Sequence, residues 1–177
     1  MTGLGRLSYF LGFEFTTSKA GIVMHQQKYI GELLERFQMI DCNNASNPSE
    51  TNAKLDECSN EEKAESTEFK QIVGSLRYLC NNRPDICFAV SIISRFMNDP
   101  RKSHLTAAKR ILRYVKGTLK FGLLFPAANK VGEAELEGYS DSDWCEDIMD
   151  RKSTYGYLFK FNGVAISWCK KKQPVTP

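Results

Sequence analysis

Apolar residues recur three or four positions apart through Phe69, Ile72, Val73, Leu76, Leu79 and Cys80, the stripe of an amphipathic helix. Asn81-Asn82-Arg83-Pro84 interrupts it, and a proline suits the first turn of the next helix, where its missing N–H has no partner to lose. That helix presents Ile86, Ala89, Val90, Ile93, Phe96 and Met97. Asp99-Pro100 ends it and is placed to cap a third, whose apolar side is His104, Ala107, Ala108, Ile111, Leu112 and Val115. Gly117 stands where a C-cap glycine belongs. An earlier helix carries Tyr29, Ile30, Leu33, Leu34 and Phe37 on one face and fades near Asp41.

The remaining patterns are those of strands. Residues 7–15 are rich in aromatics, residues 17–21 are turn chemistry, and Ile22 to Gln26 reads as the returning strand, so residues 7–26 are expected to form a β-hairpin. Residues 41–66 are polar and acidic with no periodicity, which predicts an exposed, partly mobile connector. Further on, Phe121 to Phe125 is a short strand ended by Pro126, and Glu135 to Trp144 is another. Ser153 to Phe161 and Val164 to Cys169 are joined at Asn162-Gly163, a strong hairpin signal. The sum is an α+β fold: a β-hairpin and helix, a helical bundle, then an antiparallel sheet with no covering helix after it.

Charge changes this picture locally. The net charge is only +3, so affinity for a polyanion must come from segregation. From Pro100 to Gly132 there are eight Lys or Arg and no acidic residue. Lys102, Lys109, Arg113 and Lys116 share one side of the third helix, with Arg110 beside them. A solvated helix usually mixes signs, and a one-sign stripe suits nucleic-acid phosphate. It also suits a face that pairs with acids elsewhere, and Glu50 to Glu68 holds seven acids against two lysines.

Other chemistry is sparse. The six cysteines form no C-x-x-C pair, which argues against a zinc site or a disulfide framework and for reduced thiols. There is no P-loop, dinucleotide fingerprint or G-x-S-x-G, and no apolar run long enough to span a bilayer. His104, on an apolar helix side, reads as a packed histidine. Asp141 and Asp143 alternate onto one face of a strand, about 7 Å apart. Two such carboxylates could help hold a hard cation such as Mg²⁺, or be solvated beside the acidic turn at Glu146, Asp147 and Asp150.

Several of these stretches share a pattern. Leu4 to Glu14 (LGRLSYFLGFE) resembles the segment just downstream of the polymerase aspartates in Copia-type LTR retrotransposon reverse transcriptases. Gly74 to Leu79 with Arg83-Pro84-Asp85-Ile86, and Ala107 to Thr118, are similar to their thumb region. Gly138 to Trp144, Asp150 to Thr154 and Ile166-Ser167-Trp168 are similar to the start of their ribonuclease H domain. The resemblance implies four parts: 1–40, the end of the palm; 41–66, an acidic connector; 67–118, a thumb-like bundle; and 119–177, a truncated ribonuclease H-like sheet. It implies a fragment of a Pol polyprotein that binds an RNA–DNA hybrid or duplex through Lys102, Lys109, Arg110, Arg113 and Lys116. It makes Asp141 the first metal-binding carboxylate of a ribonuclease H site that uses Mg²⁺ in the parent enzyme.

The family's Tyr-x-Asp-Asp turn and later ribonuclease H acids have no counterpart in the sequence, so no activity by the chain alone and no tightly held cofactor are expected. The partners implied are nucleic acid and the remainder of the Pol polyprotein, not a membrane. The implied location is intracellular: cytoplasmic, in a virus-like particle, or nuclear. The alternative is a non-catalytic nucleic-acid-binding module from a degenerate or repurposed retroelement.

Overall fold

The computed structural model describes residues 5–50, 55, 60–127, 134–142 and 153–173. Strands β1 (Tyr9–Phe10), β2 (Phe13–Ser18) and β3 (Gly21–His25) are followed by helix α1 (Gln27–Arg36). Helices α2 (Ser66–Leu79), α3 (Cys87–Ile93) and α4 (Lys102–Gly117) come next, with single 3₁₀ turns on either side of α3. Strand β4 (Leu123–Pro126) precedes β5 (Leu136–Ser142), β6 (Thr154–Phe161) and β7 (Val164–Lys172). The result is mixed α+β, with one sheet in the order β1-β2-β3-β4 and a second in the order β5-β6-β7, all neighbours antiparallel.

The apolar stripes do what their spacing predicts. Phe69, Ile72, Val73, Leu76 and Leu79 of α2 are fully buried against Ala89, Val90 and Ile93 of α3 and Ala108, Ile111, Leu112 and Val115 of α4. Helix α1 adds Ile30, Leu33 and Leu34 to the same core, so it packs as a fourth member of the bundle, while its Lys28 N–H donates to Glu14 of the hairpin at 2.7 Å. Glu65 caps α2, its carboxylate accepting from the N–H groups of Thr67, at 2.9 Å, and Glu68. The Glu68 and then the Thr67 bond hold that carboxyl below the usual range. Their contribution is therefore present above the ordinary carboxylate pKa and is lost as pH falls through the depressed one.

Four local expectations need correction. The strand expected over residues 7–15 is broken by a two-residue turn at Leu11-Gly12, where φ is +48° and +80°. A Cβ on Gly12 would run into the Tyr78 hydroxyl, which instead donates to the Leu11 carbonyl at 2.5 Å. Strand β4, grouped by sequence with the C-terminal strands, pairs with β3 in the register Met24↔Leu123 to Gly21↔Pro126. Gly117 is not a left-handed cap; α4 ends on Thr118, whose hydroxyl donates to the Tyr114 carbonyl at 2.9 Å. The start of α4 is held not by Asp99-Pro100 but by His104, whose Nδ1 accepts from the Arg101 N–H at 3.0 Å.

Candidate nucleic-acid interface

Helix α4 keeps its cations on one side because residues 102, 109, 113 and 116 avoid the apolar stripe that faces α2 and α3. The structure gives each predicted phosphate contact an internal partner. Lys116 Nζ donates to the Cys42 carbonyl at 2.5 Å and Arg113 Nε to the Asn43 carbonyl at 2.7 Å. Arg110 pairs with Glu50 at 2.6 Å, Lys109 with Glu68 at 2.8 Å and Lys102 with Glu62 at 2.6 Å.

Except for Glu68, these partners come from the segment read as a connector. Its described parts run antiparallel along α4, residue 42 opposite 116 and residue 62 opposite 102. Further bonds fix this strap. Ala45 N–H donates to the Arg113 carbonyl at 3.3 Å, and Ala64 N–H to the Pro100 carbonyl at 2.9 Å. Buried His104 lies flat on Phe96 at 3.8 Å between ring centroids, and its Nε2 is 3.0 Å from the Leu55 carbonyl. The Nε2–H tautomer satisfies that contact and the Arg101 N–H together, so His104 is a packed histidine that ties the strap to the helix. Gly117 also finds its role here. A Cβ at that position would crowd the Asn44 side chain at 3.2 Å. No apolar periodicity marks the strap, so sequence pattern could not reveal its path.

The pairs differ in strength. Lys102 and Glu62 are 64% and 73% exposed, and Glu50 is 63% exposed. Pairs so open to water contribute about 0–1 kcal/mol each and yield readily to a competing anion.

Asp141 lies near the end of β5, exposed, opposite Gly156 of β6 and in the same cross-strand row as Lys170 of β7. Asp143, Glu146, Asp147 and Asp150 lie outside the described residues. Among the described residues no three His, Cys, Asp or Glu side chains gather to hold a metal ion. Mg²⁺ demands near-octahedral oxygen ligands and gives up its waters reluctantly. Asp141 is the one carboxylate of the expected metal-binding set that lies among the described residues.

Two clusters were not visible in the sequence. Arg83, its side chain only 2% exposed, grips Asp85 through Nε at 2.9 Å and Nη2 at 2.7 Å. It also donates to the Thr118 hydroxyl at 2.6 Å and the Thr118 carbonyl at 3.2 Å, joining the end of α2 to the end of α4. The sequence signal was Arg83 in the polar break Asn81-Asn82-Arg83-Pro84, which says nothing of its partner Thr118. The Cys87 thiol donates to the Cys80 carbonyl at 3.7 Å and the Arg83 carbonyl at 3.6 Å, and the interaction between the two neighbouring thiols pushes Cys80 above the ordinary thiol range and holds Cys87 below it. Cys42, Cys80, Cys87 and Cys169 are all free thiols.

No family model matches the chain, and no solved structure matches it. Curated proteins do. The chain is 41% identical over 167 residues to the retrovirus-related Pol polyprotein from transposon RE1 of Arabidopsis thaliana, covering 94% of this chain and 11% of that protein. It is 39% identical over 182 residues to the Pol polyprotein from transposon TNT 1-94 of Nicotiana tabacum, covering 98% of this chain and 13% of that one. An uncharacterized mitochondrial protein of Arabidopsis thaliana, AtMg00810, is 36% identical over 175 residues, covering 98% of this chain and 71% of that protein. The chain thus spans 11–13% of the two polyproteins, in one collinear stretch. No helix among the described residues is long and apolar enough to cross a membrane. The stripes, the cation row on α4 and these identities together make the chain a member of the Copia-type retrotransposon Pol polyprotein family.

Proposed function

We propose that this segment is the part of a retrotransposon reverse transcriptase/ribonuclease H polyprotein that holds the template–primer, an RNA–DNA hybrid, inside the cell. The observation that carries the reading is the cation row of α4: Lys102, Lys109, Arg113 and Lys116, flanked by Arg110, on a stretch with no acid from residue 100 to 132. In the absence of nucleic acid Glu62, Glu68 and Glu50 occupy Lys102, Lys109 and Arg110, and strap carbonyls occupy Arg113 and Lys116; hybrid phosphates replace them on binding. Affinity is therefore weak, indifferent to sequence and steeply dependent on salt, because each phosphate contact releases counterions.

Two sets of variants test this by salt-titrated anisotropy with a labelled hybrid. The triple variant Lys109→Glu, Arg113→Glu, Lys116→Glu abolishes binding. Glu50→Gln with Glu62→Gln frees two cations and raises affinity severalfold at low salt. Equal binding by wild type and the triple variant would sink the proposal.

In the parent polyprotein Asp141 serves as the first metal-binding carboxylate of the ribonuclease H site. Two-metal cleavage needs carboxylates from several elements to activate water and stabilise the leaving oxygen. We expect the chain alone to supply too few such carboxylates and to cleave no hybrid in Mg²⁺ or Mn²⁺. Metal-dependent cleavage that vanishes in Asp141→Asn would overturn this. A second reading, a non-catalytic binding module, is favoured by one observation: AtMg00810, of which this chain spans 71%, is far shorter than the polyproteins. Both readings require the α4 row. They part on whether an extended protein carrying further carboxylates gains an Asp141-dependent nuclease.

A further inference from the structure

We propose a second anion site, separate from the α4 row, in the cleft between helices α2 and α3 and strand β7, taking the backbone of a single-stranded nucleic acid. The cleft holds about 650 Å³. Its walls are set by β7 packing on α3 and by the Trp168 indole N–H donating to the Cys80 carbonyl at 2.8 Å. Three cations line it, Arg77 from α2 and Lys170 and Lys171 from β7, and among the described residues no Asp or Glu does. Among the described residues none of the three makes an ion pair, whereas Lys102, Lys109 and Arg110 of α4 are each paired with a carboxylate. Arg77 and Lys170, with Lys171 next along β7, bring a guanidinium fork and ammonium groups to one cleft with no ion-pair partner among the described residues, and phosphate matches them.

The cleft's size and its apolar neighbours select the form of the ligand. A space of this volume is that of a small-ligand pocket and excludes a duplex, but one strand can lie across it. Lys170 Nζ sits 4.8 Å from the centroid of the Phe88 ring, and Phe88 itself is 48% exposed. A cation row beside an exposed aromatic face is how proteins grip single strands: ammonium and guanidinium groups track the phosphates while a base stacks on the ring. Gly156, opposite Lys170, leaves room for the lysine stem, which would otherwise meet a Cβ at 3.2 Å. The assignment stands independently of the α4 reading, since the two places share no residue.

The test measures anisotropy of a labelled 12-nucleotide dT strand, with a hybrid of equal length in parallel, on the full chain. Arg77→Ala with Lys170→Ala and Lys171→Ala should weaken single-strand binding at least tenfold and flatten its salt slope by about two, while hybrid binding changes less than twofold. Phe88→Ala should cost the single strand about fivefold or more and leave the hybrid unchanged. Should the triple variant not fold, Arg77→Ala and Phe88→Ala, both at exposed positions, decide the matter. The glutamate triple variant of α4 should do the reverse: hybrid binding lost, single-strand binding kept. Unchanged single-strand affinity and slope in the cleft variants would overturn the proposal. So would competition by dTMP, or by a poly-glutamate peptide, as effective as that of the unlabelled strand, because the cleft would then take a mononucleotide or an acidic peptide.

Discussion

Arg83→Ala is expected to cost about 3–5 kcal/mol of stability, because breaking a buried pair leaves its partners uncompensated. The guanidinium carries four hydrogen bonds at once, two to Asp85 and two to Thr118, and lies against the rings of Tyr114 and Phe121. Removing it strands the Asp85 carboxylate, which is only 32% exposed and also accepts from the Tyr114 hydroxyl. For a chain of this size the melting temperature should fall by roughly 6–20 °C. Lysine cannot replace the planar fork, so Arg83→Lys should recover only part of the loss. Exposed Arg77, on the last turn of α2, is the control, and Arg77→Ala should move stability by about 0.5 kcal/mol or less. Urea denaturation of the three variants is the measurement. Arg83→Ala behaving like Arg77→Ala would show that the cluster joins α2 to α4 in appearance only.

Phe69→Ala should cost a similar amount, about 3–5 kcal/mol, since a fully buried aromatic leaves a cavity that the bundle cannot close. The companion substitution Phe159→Ala, on a ring 41% exposed in β6, should cost about 1 kcal/mol or less. The contrast follows from where the core lies. Among the described residues the buried apolar core belongs to α1, the turn after it, α2 to α4 and the 3₁₀ turn before α3, while Leu136, Tyr139, Phe159, Phe161 and Ile166 of the second sheet stand exposed. Amide exchange should therefore find the helices slowest and β5–β7 fastest. C-terminal strands as slow as the helices would refute it.

The helices were legible in the sequence because their information is local. A 3.6-residue stripe names its own buried face, as Phe69 to Leu79 did, and Asn162-Gly163 names its own turn with φ of +49° and +78°. What could not be read depends on distant partners. Nothing within Leu123 to Pro126 says that Gly21 to Met24 will be its neighbour. A polar strap buries little and shows no period, so its course along α4 stays hidden until His104, Arg113 and Lys116 are seen reaching for its carbonyls. The candidate site divides in the same way. The cation row was plain from spacing, its internal carboxylates were only one of two readings, and the Arg77–Lys170–Lys171 cleft needed residues 93 positions apart to meet.

The pairing of β4 with β3 sets an order in time. Strand β3 ends at residue 25 and β4 begins at residue 123, so the whole helical bundle lies inside the loop that this pairing closes. At about 5–20 residues per second of synthesis, the outer backbone of β3 emerges roughly 5–20 s before its partner exists. Until then its N–H and C=O groups are a template for any other extended chain. The entropy of closing so long a loop is largely met once the bundle has folded and drawn the two ends together. The helices thus act as an internal scaffold for the first sheet, and a ribosome that stalls near Gly117 would release a chain with a folded bundle and an open, adhesive strand.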